Sequence, residues 1–243
     1  MSAINTKPAS AEQYAILAID SAFDICSVAC LSASVSIVKT GTHKRKHADD
    51  VLLLVQSLLD ETQMSLGDFD AIAMTSGPGS FTGLRIGTAV VQGLAFGSSR
   101  PVVCISSLAA LAHATAAMKP GARVVTCLHA RENEFYFAIY QQSESGSPEP
   151  VVRDCIATPE QISAHLQNVI SGTSGTCLAA GDGWLQPALQ ELQQKYTLTV
   201  VSTSYDALVL ADIARHELVA GHAVPAAMAS PVYLKDELEY RTV

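Results

Sequence analysis

The chain has 243 residues, 49% of them apolar and 16% charged, which is enough to build one large or two modest hydrophobic cores and excludes a disordered polymer. Its formal net charge of −8 repels a polyanion at long range, so direct nucleic-acid binding by this chain alone is not expected. The low charge fraction leaves more apolar surface than a monomer needs and hints at a protein partner.

Strands are predicted at Tyr14–Asp20, Ser27–Leu31 and Val35–Thr40, three runs rich in Ile, Val and Ala, so the chain opens with an antiparallel meander. Asp20 ends the first strand and precedes Ser21, a place where α/β folds expose ligand-contacting groups; capping of the turn and ligand binding are both open to it. His43-Lys-Arg-Lys-His47 spaces two histidines like a helical metal pair, but its three positive charges oppose a cation and Asp49 and Asp50 follow, so a solvated loop with a structural role is expected. From about Ala48 to Thr62 a helix carries Val51, Leu54, Val55 and Leu58 on the stripe that faces a sheet. Leu52, Leu53 and Leu59 are left on other faces and call for a second partner.

The strand at Ala71–Ser76 runs into Gly77-Pro-Gly-Ser-Phe-Thr-Gly83 and then a helix over Thr82–Gly97. Gly77, Gly79 and Gly83 allow positive φ and close approach, and Thr82 is expected to cap the helix, whose open N–H groups favour an anion such as phosphate. The glycine spacing is one residue longer than the dinucleotide fingerprint, and Leu84-Arg85 stand where a P-loop needs Lys and then Ser or Thr. Asp20, Gly77, Gly79, Ser80 and Gly83 are therefore anion or nucleotide candidates outside both common motifs, against the plainer reading of a strand-to-helix turn without ligand. Glycine pairs at 83/87 and 93/97 let another helix approach, and Leu84, Gly87 and Val91 join Leu52, Leu53 and Leu59 as the expected partner face; burial of both helices inside one large domain is the competing reading.

A strand at Val102–Ile105 and a helix at Leu108–Met118 come next, and then a second α/β half begins. It is predicted as strands at Arg123–Leu128 and Phe135–Tyr140, a polar surface turn over Gln141–Pro150, a helix near Pro159–Val169, a flexible break at Ser171–Thr176 and a strand at Leu178–Ala180. A helix after Trp184, a strand at Leu198–Val201 and a long helix over Asp206–Ala220 complete it. Gly181-Asp182-Gly183 reads as an Asx-type turn with Trp184 anchoring the next helix. Six cysteines without a C-x-x-C pair read as reduced thiols, and neither a signal-peptide pattern in Met1–Gln13 nor a bilayer-length apolar run is present, so a cytoplasmic protein is expected.

Gly77-Pro-Gly-Ser-Phe-Thr-Gly-Leu-Arg-Ile-Gly87, with Ile16-Leu-Ala-Ile-Asp-Ser21 before it and Ile105-Ser-Ser-Leu-Ala-Ala-Leu111 after it, resembles the TsaB (YeaZ) family, and Pro231-Val-Tyr-Leu-Lys235 resembles its closing segment. The resemblance implies an actin-like ATPase (ASKHA, ribonuclease H-like) α/β fold of two similar subdomains. Residues 1–108 would form the first, 109–205 the smaller second, a helix at about 206–221 would pack back onto the first, and 222–243 would be a tail. The family usually has Asp-Thr-Ser where this chain has Asp20-Ser21-Ala22, so one hydroxyl is missing. In the paralogous enzyme TsaD two histidines bind the catalytic metal where Ser107 and Leu111 stand here, and His113 is two positions out of register. The resemblance thus implies no catalytic residues, no metal and no required cofactor, with room only for weak nucleotide binding at the glycine loop. It implies a scaffold for TsaD in forming N6-threonylcarbamoyladenosine at position 37 of tRNAs reading ANN codons, with the ATPase TsaE completing the complex, tRNA met only through that complex, and a homodimer when TsaD is absent. An actin-like small-molecule kinase or a metal-dependent glycoprotease-like hydrolase is the alternative.

Overall fold

Small and β-branched apolar residues make Ile16–Asp20 (β1), Ser27–Leu31 (β2) and Ser36–Thr40 (β3) an antiparallel meander, with Ala71–Gly77 (β4) parallel to β1 and Val102–Ser106 (β5) beyond it. The computed structural model describes residues 10–41, 47–117, 119, 121–143, 146–170 and 177–234. The basic cluster at 43–46, the side chains of His47 and Asp49, the break at 171–176 and Lys235 lie outside the described residues. The chain divides into two compact units: Met1–Ile105 with Asp206–Pro231, and Ser106–Tyr205 with Val232–Val243.

All five positions of β1 are buried, which an amphipathic strand on a half-exposed sheet would not allow. Side chains alternate across the sheet, and Leu17 and Ile19 share a core with Val51, Val55 and Leu58 of helix α1 (His47–Thr62) and Val91 and Ala95 of helix α2 (Phe81–Ser98). Ile16 and Ala18 point the other way, where the last helix packs against β1 and β2. That helix is α6 (Ala207–Ala220): Asp206 caps it by accepting from the Leu208 N–H at 2.8 Å, and Gly221 ends it in the left-handed conformation. Each large core side chain contributes about 1.5–3 kcal/mol by leaving water. Residues 222–231, set apart as a tail in the sequence, run along the first unit: Val224 pairs with Val102 through two backbone bonds of 2.8 Å, and the Ala229 carbonyl accepts from Gln92.

The second sheet repeats this plan. Arg123–Arg131 (β6), Glu134–Gln142 (β7) and Pro148–Ala157 (β8) form the meander, Cys177–Ala180 (β9) lies parallel to β6, and Thr199–Val201 (β10) lies parallel to β9. Read from the meander edge, the strand orders are β3-β2-β1-β4-β5 and β8-β7-β6-β9-β10. Helix α3 (Ser107–Ala116) packs on β6 and β7 through Leu108, Leu111 and Ala112, while helix α4 (Pro159–Ile170) joins Val125, Phe137 and Trp184 in a second core. Helix α5 (Gln190–Lys195) is one and a half turns long.

Two expectations are corrected. The polar stretch Gln141–Pro150 is not one long turn: β7 runs through Gln142 and β8 starts at Pro148, so only 143–147 connect them. Pro148 and Pro150 hid this strand, which lies at the edge of its sheet, the position where proline is tolerated. Helix α2 is capped by Ser80, whose hydroxyl accepts from the Gly83 N–H at 3.2 Å, rather than by Thr82.

Candidate functional site

At the carboxyl ends of β1 and β4 the structure gathers Asp20, Gly77, Gly79, Ser80 and Gly83. Asp20 is buried and accepts through Oδ1 from the Thr75 hydroxyl at 2.6 Å and the Ala22 N–H at 3.0 Å. Ser21 donates its hydroxyl to the Gly83 carbonyl at 2.9 Å, and the Ser80 N–H donates to the Ala22 carbonyl at 2.7 Å. The Gly83 N–H is engaged by the Ser80 hydroxyl and the Ser80 N–H by the Ala22 carbonyl, so two of the four donors that a helix start leaves open are occupied from within, and the Leu84 N–H makes the first helical bond to the Ser80 carbonyl at 2.9 Å. The glycines serve close contact: a Cβ on Gly79 would lie 2.5 Å from the Ala22 carbonyl oxygen, and one on Gly87 would lie 2.1 Å from Ser21 Oγ. Thr75 escaped the sequence reading, and Ala22 figured in it only as a missing hydroxyl, because only the fold brings Thr75 against Asp20 and the Ala22 carbonyl against Ser80.

The α1–α2 surface divides the other candidates. Leu52 and Leu53 are 52% and 69% exposed on α1, whereas Leu59 is half-buried against the core. Leu84, Gly87 and Val91 are buried inside the first unit and present no surface, which corrects their expected place on the partner face. At 3.6 residues per turn they form, with Thr88 and Ala95, the stripe that α2 needs for its own sheet. Its outer face instead carries Phe81 and Phe96, 56% and 81% exposed, with Ala89, Gly93 and Gly97 also exposed; the Arg85 guanidinium lies 3.7 Å from the Phe81 ring centroid. A Cβ on Gly93 or Gly97 would meet nothing within 4 Å, so packing inside the chain does not require either glycine. An aromatic opposite the Leu84–Val91 stripe was the available signal for Phe96.

On α3, Ser107 and Leu111 are both buried, and Ser107 Oγ has no hydrogen-bond partner among the described residues. Among the described residues no group of three or more His, Cys, Asp or Glu side chains is placed to hold a metal. The helix start is instead tied to a carboxyl: Ser106 caps α3 by accepting from the Leu108 and Ala109 N–H groups and donates its hydroxyl to Asp154, which also accepts from the Tyr140 hydroxyl. Burial pushes Asp154 above the ordinary carboxylate range against the opposing pull of these two hydroxyls, and burial with the Asp154 charge pushes the Tyr140 phenol up as well. Asp182 accepts from the His129 N–H at 3.0 Å while Trp184 is buried and donates to the Val125 carbonyl at 3.1 Å, the geometry of an anchored turn. No helix among the described residues is long and apolar enough to cross a membrane.

Two meander-plus-crossover sheets with equivalent strand order, each covered by helices, define a duplicated α/β protein of the actin-like, ribonuclease H-like class. A family model described as "TsaD: tRNA N6-adenosine threonylcarbamoyltransferase" matches residues 38–218. The chain is 32% identical to the tRNA threonylcarbamoyladenosine biosynthesis protein TsaB of Escherichia coli, over 93% of this chain and 96% of that one. It is 30% identical to TsaB of Haemophilus influenzae, over 93% and 95%. The solved structure of YeaZ from Pseudomonas aeruginosa superposes with a TM-score of 0.77 at 31% identity, over 91% of this chain and all of the other. The chain belongs to the TsaB (YeaZ) family, within the wider group that the TsaD model describes.

Proposed function

We propose that this chain takes part in forming N6-threonylcarbamoyladenosine at position 37 of tRNA as a noncatalytic scaffold that binds and orders TsaD. The carrying observation is the exposed apolar face of α1 and α2, with Leu52, Leu53, Phe81 and Phe96 open to solvent on neighbouring helices of one unit. Large apolar side chains left exposed on a surface gain free energy when a partner removes them from water, and aromatic anchors contribute most. The noncatalytic part of the reading is supported by Ser107 and Leu111, which stand where the family resemblance places the metal-binding histidines of TsaD. TsaE would join the assembled pair, and a second copy of this chain would cover the same face when TsaD is absent.

Mixing the purified chain with TsaD and resolving the mixture by gel filtration tests this directly. The expected result is a discrete complex that Leu53→Glu and Phe96→Glu each disrupt without changing the circular dichroism of the chain. Failure of the unaltered chain to bind TsaD would remove the scaffold reading. Threonylcarbamoyl transfer to tRNA by the chain without TsaD would remove the noncatalytic one.

A further inference from the structure

The turn after β1 and the loop after β4 hold each other. Ser80 N–H reaches the Ala22 carbonyl, Ser21 Oγ reaches the Gly83 carbonyl, and Ser80 folds back on Gly83 and Leu84. Gly79 lies so close to Ala22 that the Ala22 carbonyl oxygen is 2.5 Å from where a Cβ would be, and Gly87 has only 2.1 Å between such an atom and Ser21 Oγ. The volume into which a phosphate would settle against these backbones is thus bordered by the protein's own carbonyl and hydroxyl oxygens. The carbonyl has no proton to give an anion, and the Ser21 proton is already given to the Gly83 carbonyl. Ser21 has no easy escape, since it is buried and its hydroxyl is committed to Gly83.

We propose that these two turns form a single interlocked strap, closed to phosphate, and that the contact of Ser21 with Gly87 is the positioning contact that sets α2 on the first sheet and so sets the height of the partner face. Gly83 and Gly87 lie on the inward side of the first two turns of α2, and Phe81, Arg85 and Ala89 lie on the outward side of the same turns. Carbon and oxygen atoms rest at about 3.5 Å, so a methyl group on Gly87, 2.1 Å from Ser21 Oγ, would have to push the two apart by roughly 1.4 Å. Helix α1 is held by β2 and β3 as well as by α2, so Leu52 and Leu53 would move less than Phe81 and Arg85. A partner fitted to both helices reads that mismatch even though the fold survives it. The inference rests on the reading of α1 and α2 as the TsaD-binding face.

The test compares the full chain with Gly87→Ala and with Ser21→Gly combined with Gly87→Ala, measuring TsaD affinity, thermal midpoint and amide hydrogen exchange along α2. Gly87→Ala is expected to weaken TsaD binding at least tenfold and to speed exchange from Gly83 to Val91, and the double variant is expected to restore both to within threefold. A folded Gly87→Ala chain that binds like the parent, or a double variant that restores neither quantity, overturns the proposal. Should Gly87→Ala not fold, Ser21→Ala removes the bond to Gly83 without adding bulk; it must still speed exchange in the same segment, and unchanged exchange is a refutation. Titration with magnesium-ATP is expected to leave the Ser80 and Gly83 amide resonances in place, and a saturable shift there would show the strap to be open. If the parent chain binds no TsaD, the scaffold reading fails, while the exchange and ATP measurements still decide whether the strap exists.

Discussion

Both crossover strands lead into a glycine at φ 110°, Gly77 closing β4 and Gly181 following β9; the loop after Gly77 lies against Ala22 beyond the end of β1, and Gly181 and Gly183 lie against Cys127 within β6. Beyond that loop the two units diverge. The first continues into an 18-residue helix whose inner stripe is buried and whose outer face carries Phe81 and Phe96. The second continues into the short 3-10 turn Asp182–Leu185 and a six-residue helix, and it drives the Trp184 indole into its own core. One topology thus yields a half whose loop leads into a long helix with two exposed aromatics and a half whose loop buries its tryptophan while leaving Leu185 exposed.

The comparison breaks most visibly at Gly181. Any Cβ there would lie 2.1 Å from the Cys127 carbonyl oxygen in a backbone conformation that L residues rarely adopt, so Gly181→Ala is expected to lower stability by roughly 3 kcal/mol or more. The single tryptophan, Trp184, sits beside this turn, and its fluorescence through a urea titration reports the loss. An unchanged midpoint would mean that the second loop is as loose as an ordinary surface turn. Next in size, Phe96→Glu should weaken association with TsaD by about 2 kcal/mol, a factor of about 30, while the Trp184 transition stays where it was. Parent-like binding would move the recognition surface away from α2.

Smaller effects separate the units further. Asp154 has its folded pKa raised by burial, so its contribution to stability is full at acid pH, below the unfolded carboxylate value, and is lost as pH rises through the folded value. The Trp184 unfolding midpoint should therefore decline across that window, and Asp154→Asn should flatten the decline, with an effect of about 1 kcal/mol. A midpoint that rises with pH over the same window and is insensitive to the substitution would contradict the assignment. Smallest of all, Gly93→Ala meets nothing within 4 Å and should stabilise α2 in the isolated chain by about 0.5–1 kcal/mol in thermal denaturation. A destabilised variant would show that α2 needs this glycine for its own packing.

The meander, the crossover helices and the glycine loop were legible because each rests on a local pattern: apolar runs of strand length, a 3.6-residue stripe, residues that permit tight turns. Leu52 and Leu53 could be placed outside the Val51–Val55–Leu58 stripe by the same periodicity. That rule fails for α2, where an apolar stripe of Leu84 and Val91 reads equally well as inward or outward until the position of β4 is known. Strand β8 was missed since Pro148, Glu149 and Pro150 are locally poor strand formers, and only pairing with β7 as an edge makes them one. The choice of Ser80 over Thr82 as the cap depends on the Ser80 N–H bond to Ala22, nearly sixty residues away in the chain, which no window of sequence contains. The same holds for Ser106, Tyr140 and Asp154, three ordinary polar residues until three elements converge.

The pairing of Val224 with Val102, and the packing of α6 on β1 and β2, mean that the first unit is sewn together from two segments that flank the second unit in the chain. The second unit is nearly contiguous, with Ser106–Tyr205 supplying both its cores. A chain emerging from the ribosome can therefore close the later half while the earlier one still waits, with one face of β1 uncovered, for Ala207–Ala220 to appear. Loop closure over such a separation is slow compared with local pairing. The half that carries the exposed side chains of α1 and α2 is therefore not complete until Ala207–Ala220 and the segment through Pro231 have been made.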